Sequence, residues 1–319
     1  MPAMGANFKL RMYPETTFGT FPATGNFNQV PCFSYSVAPT QQMEQDAILS
    51  AVANREAGDP FFGLISVAGD AVVPMETVHF ARWLRMLMGA PTTSGSVNFT
   101  HLFTSGSLAV PSNGIEKAFP DLAVPLFLKQ AGMRANTLRV GLDPQGAAQA
   151  TVGLIGLSEV KETSTGAGIP VVTAFTRFHN VQGTVTRGGS TLSGVTAFDF
   201  TFSNDMEPVA AIRGDYRMDD IDLGLAQASG NITIRFNNAV EYDAAVATQA
   251  AAAITCGWTI DANTSIVFNF GRTFIMPAGA PISGPRGIIQ NFRFVAGPHA
   301  STGVMQVMVR NKITSYAVS

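Results

Sequence analysis

The sequence predicts a mainly β chain made of two tandem copies of one small strand-rich domain, and three observations predict it. Residues 64–89 (LISVAGDAVVPMETVHFARWLRMLMG) alternate apolar positions across Gly69-Asp70. They then change to helical spacing, with Val78, Ala81, Leu84, Leu87 and Met88 on one face. The same construction returns in residues 225–250: Gly230-Asn231 replaces Gly69-Asp70, Ile232, Ile234 and Phe236 alternate, and an Ala-rich helical run extends over 239–254. Finally, the repeat is one domain long, too long for a solenoid unit, and 319 residues suffice for two cores.

Taken in order, residues 1–30 read as an irregular arm. Pro2, Pro14 and Pro22 interrupt it, and Phe8, Tyr13, Phe18, Phe21 and Phe27 anchor it on a neighbouring surface or on its own domain. The first domain covers 31–160. Phe33, Tyr35 and Val37 alternate in a strand that stops at Pro39. A long connection, 40–62, carries Glu44, Asp46, Arg55, Glu56 and Asp59; connections of this length are usually functional. After the Gly-Asp strand, which reads as bent or bulged, and its helix come strands over 101–111 and 122–129, joined by SNGIEKAFPD. A hairpin over 137–142 and 150–157 turns at Asp143-Pro144-Gln145-Gly146.

Residues 161–170 are polar and Gly-containing and read as the linker. In the second domain, 171–319, Phe198, Phe200 and Phe202 match Phe33, Tyr35 and Val37. The connection 204–224 matches the first long one and carries Arg213, Asp215, Arg217, Asp219, Asp220 and Asp222. Strands follow over 266–270 and 272–276, then a closing pair, 289–295 with 304–309, turning at Ala296-Gly297-Pro298-His299.

Composition narrows the function. Charged residues are 13% of the chain, against about 25% in an ordinary soluble domain, which suits a surface covered by partner subunits. Net charge is −2, so bulk attraction to nucleic acid is not expected. No apolar run approaches the ~20 residues that cross a bilayer, and residues 1–16 lack an apolar core of signal-peptide length. Cys32 and Cys256 form no metal or redox motif and read as free thiols of a reducing cytoplasm. His79, His101, His179 and His299 are scattered, and no nucleophile elbow, Walker loop or dinucleotide fingerprint occurs. Asp219, Asp220 and Asp222 lack the ligand spacing of a Ca²⁺ loop and read as a solvated acidic turn. Arg213-Gly214-Asp215 spells an adhesion tripeptide of the kind that recurs by chance.

With this order laid out, the chain resembles the major tail tube proteins of long-tailed bacteriophages. The resemblance rests on ETTFGTFP (15–22), VAGDAVV (67–73) with its helix, VPS (110–112), FTFSN (200–204) and ASGNITIRF (228–236). It implies two tandem tail-tube-like β-sandwich domains, each with a flanking helix and a long inter-subunit loop. It further implies a non-enzymatic virion protein, without cofactor or metal, assembled in the host cytoplasm. In proteins similar to these, two-domain chains form trimeric, pseudo-sixfold rings that stack head to tail into a conduit for the genome. The implied partners are other copies, tape measure protein and DNA in the bore, and tail terminator and distal tail proteins at the ends, with no membrane. The readings that compete with this are the tube of another injection machine and a carbohydrate-binding β-sandwich.

Overall fold

The computed structural model describes residues 2–45, 58–236, 240–243, 250–276, 279, 282, 284–285 and 287–316. The first half contains β1 (Lys9–Pro14), β2 (Asn28–Val30), β3 (Ser34–Tyr35), β4 (Ala38–Glu44), β5 (Phe61–Pro74) and α1 (Phe80–Met88). It continues through β6 (Thr92–Gly95), β7 (Phe99–Thr104), β8 (Asn113–Phe119), β9 (Leu126–Leu142), β10 (Gln149–Gly156) and β11 (Ser158–Glu162). The second contains β12 (Gly183–Arg187), β13 (Ser190–Thr191), β14 (Val195–Ser203), β15 (Glu207–Val209), β16 (Asp220–Asp222) and β17 (Gln227–Arg235). It ends with α2 (Val240–Asp243), β18 (Ala252–Asp261), β19 (Thr264–Ile275), β20 (Ile289–Ala296) and β21 (Gln306–Asn311). The chain is mainly β, in large antiparallel sheets, as the alternation predicts.

Strand pairing repeats between the halves. In the first, β1 pairs with β2 and β8, β8 with β9, β9 with β10 and β11, and β5 with β4 and β10. In the second, β12 pairs with β13 and β18, β18 with β19, β19 with β20 and β21, and β17 with β14 and β20. The correspondence reaches single residues. Gly69 faces Leu154 and Gly230 faces Phe294. Arg11 faces Glu116 in a 2.9 Å ion pair, where Thr186 faces Thr255 through a 2.6 Å hydroxyl hydrogen bond.

Two ladders join the halves: β9 pairs with β14, and β7 with β21. A hydrophobic core runs through both, with α1 buried in it through Phe80, Trp83, Leu84 and Leu87. Its centre is an aromatic cluster in which Phe200 lies 5.0 Å from Phe268 and 5.1 Å from Phe270, and Phe294 lies 5.5 Å from Phe270. Residues 163–182 are strapped to the first half. Gly166 N–H donates to Glu116 Oε2 at 2.8 Å, Val171 N–H to the Phe27 carbonyl at 2.8 Å, and Phe178 N–H to the Met75 carbonyl at 3.0 Å.

Several expectations change. The N-terminal segment is no irregular arm but supplies β1 and β2, and Leu10 and Met12 are buried on its own chain. SNGIEKAFPD is strand β8, whose Ile115, Glu116 and Lys117 are all buried, so the alternation that would announce a half-exposed strand is missing. β20 and β21 form no hairpin. β20 occupies the place of β10 and β21 that of β11, while the far end of β19 takes the place of residues 133–135 of β9. Alternation identifies a strand but not its partner. Of the helix expected over 239–254, 240–243 is helical, 239 and 244–249 lie outside the described residues, and Ala252–Ile254 is already β18, where Ile254, Cys256 and Trp258 are buried. Alanine carries no period, so the run could not distinguish helix from strand.

Candidate functional site

The surfaces that can carry function are the ends of two matching hairpins, one polar sheet face and one sheet edge. In the first hairpin Ala38 faces Ala68 and Glu44 faces Phe61; in the second Thr201 faces Ser229 and Glu207 faces Asp222. The residue spacing along each strand is identical, so β15–β16 is the outer end of the β14–β17 hairpin, equivalent to the outer end of β4–β5. Residue types agree too: Met43-Glu44 corresponds to Met206-Glu207, and Phe62-Gly63-Leu64 to Leu223-Gly224-Leu225.

The two ends are placed differently. The second turns aside at Asp205, whose φ is +50°, and at Gly224, where an added Cβ would meet the Asp205 carbonyl oxygen at 2.2 Å. It folds onto the first half. Asn204 N–H donates to the Asn136 carbonyl at 2.9 Å and Met206 N–H to Asn136 Oδ1 at 2.9 Å. Ile65 N–H donates to the Tyr216 carbonyl at 2.8 Å, and Arg217 Nη2 to the Gly19 carbonyl at 3.2 Å. Met206 and Ile221 close a small core with Val110 and Leu157, against which Phe18, Ile155, Met218 and Leu223 pack. Arg134 ties this together: it donates to the Ile221 carbonyl at 2.7 Å, stands 3.8 Å from Asp220 and lies 4.0 Å over the Phe18 ring. Glu15 fixes the loop that carries Phe18 by accepting from Ser112 Oγ at 2.6 Å, Gly132 N–H at 2.8 Å and Gly19 N–H at 3.0 Å. Burial pushes its carboxyl above the usual range against those bonds.

Among the described residues nothing covers the first hairpin end. All of β4 is exposed, and Met43 is 64% and Phe62 54% exposed.

Of the sequence-predicted residues, Glu44 and Asp59 lie exposed at this end, whereas Asp46, Arg55 and Glu56 lie outside the described residues. Arg213 hydrogen-bonds Asp215 and Asp219, which turns the tripeptide inward on itself. Asp220 accepts from the Ile221 N–H at 2.7 Å. Asp222 faces Glu207, two like charges that suit a wet end. Charge had singled out these positions, but the apolar residues Met43, Phe62, Met206 and Leu223 distinguish the two ends. The repeated Met-Glu and x-Gly-Leu were the signal for them.

The strands run β4–β5–β10–β9–β14–β17–β20 without a break. One face is core; the other carries Asp70, Arg139, Thr151, Asp199, Thr201, Asn231, Asn291 and Arg293. On it Asp70 stands 3.7 Å from Arg139, and Asn231 Nδ2 donates to Asp199 at 3.0 Å. Among the described residues β4 is laddered on one side only, and its Pro39 is a residue that edges tolerate. The corresponding strand, β14, is laddered on both sides, to β17 and β9.

The histidines make structural hydrogen bonds: His79 Nε2 to the Thr173 carbonyl at 3.1 Å, and His101 to Thr93, Asn311 and Ile313. Among the described residues no three His, Cys, Asp or Glu side chains gather as metal ligands, and no helix is long and apolar enough to cross a membrane.

A duplicated antiparallel β fold with an uncovered edge and an apolar hairpin end defines a structural protein of the self-associating kind. The family description of phage tail tube proteins matches residues 5–296, and the chain belongs to that family: it is a structural component of a bacteriophage tail. No curated protein matches the chain closely enough to name a relative.

Proposed function

We propose that three copies of this chain close into a ring of six similar wedges, and that rings stack head to tail into the conduit through which the genome leaves. The observation that carries this reading is the internal repeat of pairing. Within one chain the β14 edge is covered by β9, and among the described residues the corresponding β4 edge is bare. A second copy that offers the counterpart of the β9 edge would cover it, and successive copies would then leave no edge exposed. The two wedges of a chain are residues 31–160 and 171–319, joined through 161–170, with 1–30 as part of the first wedge's sheet. The long connections with Glu44, Asp46, Arg55, Glu56 and Asp59 and with Arg213, Asp215, Arg217, Asp219, Asp220 and Asp222 reach between wedges.

The polar sheet face suits the bore. Arg139 is countered by Asp70, so the wall offers sliding DNA few free cations, each of which would neutralise a phosphate and retard it. Tape measure protein occupies the same channel before the DNA, and terminator and distal tail proteins meet the two ends. The protein acts by assembly rather than by catalysis, within a virion put together in the host cytoplasm.

Negative-stain electron microscopy of the purified protein tests the reading. Rings with six lobes, at a mass of roughly 100 kDa, three times 33.7 kDa, are the expected result. Particles that remain single chains at every concentration overturn it.

A further inference from the structure

The second hairpin end has a receptor inside its own chain; the first has none among the described residues. In the first half that receptor includes Arg134 and Ile155, which face each other across β9 and β10. The same place in the second half is held by Phe274 and Val295, which face each other across β19 and β20. Here the polar position has become aromatic, and among the described residues no hairpin lies over it: Phe274 is 40% and Val295 37% exposed.

Resting on the ring reading above, we propose that Met43 and Phe62 of one copy dock on Phe274 and Val295 of the next. The occupant is thus a second copy of this chain. Three observations converge on it. The ligand side is matched residue for residue, since Met43 occupies the place of Met206 and Phe62 that of Leu223. Met206 is 6% exposed in its receptor, whereas Met43 is 64% exposed. The receptor side is matched by strand register: Phe274 and Val295 stand across β19 and β20 as Arg134 and Ile155 stand across β9 and β10. The four docking side chains are apolar, which suits a lateral contact that gains by excluding water, and the charges beside them are opposite in sign: Glu44 next to Met43, and Arg272 5.0 Å over the Phe274 ring.

The hairpin side carries the larger apolar group. Leu223 is replaced by Phe62, and the neighbouring Asp222 by Phe61, 46% exposed. On the receptor side an aromatic ring stands where Arg134 stood. The contact between chains is therefore an enlarged, more apolar form of the contact within the chain. That is the expected direction of change where no covalent link supplies a high effective concentration.

The test uses the full chain. Met43→Ser with Phe62→Ser should leave the thermal midpoint of the single subunit unchanged within about 2 °C, because both are mostly exposed, and Phe274→Ser with Val295→Ser, which are partly covered, should lower it by no more than about 5 °C. Each pair should raise the concentration needed for rings at least about tenfold. Val181→Ser, at an 81% exposed residue away from both surfaces, should change neither. In a Cys32→Ser background, which removes the partly exposed native thiol, a Met43→Cys, Val295→Cys variant treated with a short bismaleimide should give covalent species ending at the trimer, and each single variant only monomer. Rings at the wild-type concentration from both serine pairs, or no covalent trimer from assembled double-cysteine rings, would overturn the docking inference while leaving the ring reading in place. Wild-type protein that forms no rings would sink both.

Discussion

Glu76 precedes α1, is fully buried, and accepts from the N–H groups of Val78, His79 and Phe80 at 2.6 Å each, closing the open end of the helix. Burial pushes its carboxyl up to about 7, against the pull of those three bonds and of Arg82. A carboxyl whose folded pKa lies above its unfolded value stabilises fully at low pH and loses that stabilisation as pH rises. Denaturation midpoints in urea should therefore fall between pH 4.5 and about 7, by an amount on the order of 1–3 kcal/mol, and then level off. Glu76→Gln should flatten the curve across that window; a variant curve that keeps the wild-type slope would assign the pH dependence elsewhere. Glycines make a second residue-scale case. Gly69 and Gly230 were legible as a matched pair, but as bends or bulges, and neither inserts an extra residue into its ladder. Each is a place where another strand passes at contact distance. An added Cβ would meet Val37 Cα at 2.7 Å at Gly69, and the Asp199 carbonyl oxygen at 2.1 Å and the Phe294 ring at 2.7 Å at Gly230. Gly230→Ala should cost about 1–3 kcal/mol in urea denaturation, since the blocking atom is backbone and cannot swing away.

Among the elements, the hairpins show what a sequence can and cannot reveal. Their order, their matched glycines and the turn at Asp143–Gly146 were all readable, because alternation and turn chemistry are local properties. Pairing partners were not, since β20 and β21 are clean alternating strands whose mates lie elsewhere in the chain. Neither was the docking of one hairpin end, which depends on a kink at Asp205 rather than on any pattern. Buried strands such as β8 escaped for the same physical reason: a strand covered on both faces has no period to detect. The asymmetry between the ends leads to opposite expectations for two loop replacements. Exchanging residues 210–219 for a short Gly-Ser turn removes the Tyr216 and Arg217 contacts and should lower the subunit's thermal midpoint by several degrees. Exchanging 46–57 should leave the midpoint unchanged and impair assembly. Equal loss of subunit stability in both would mean that the first end is also held within its own chain.

For the molecule as a whole, the sparse charge of the chain acquires a meaning that no single residue carries. A tube must cohere strongly on its lateral and axial surfaces yet hold nothing on its inner wall, and both demands favour few charges. If the polar sheet face lines the bore, as proposed above, it meets the second demand by hydrogen bonding and local neutralisation: Asp199 is occupied by Asn231, and Arg139 by Asp70. Adding cations to this face should make the wall adhesive without touching the surfaces between copies. Asp199→Lys with Asn291→Lys places ammonium groups on exposed positions of adjoining parts of the sheet. Tubes of this variant should form normally and retain labelled duplex DNA at low salt. Raising the ionic strength should release it steeply, because each bound phosphate returns a counterion to solution. Lysines at two exposed positions off the face, Ile169→Lys and Val181→Lys, supply the same two ammonium groups to the outside and should retain DNA only along the outer wall, where nuclease digests it. Nuclease-resistant DNA in the first variant alone places the face in the bore; equal digestion in both would put it on the exterior and reverse the orientation of the wedge.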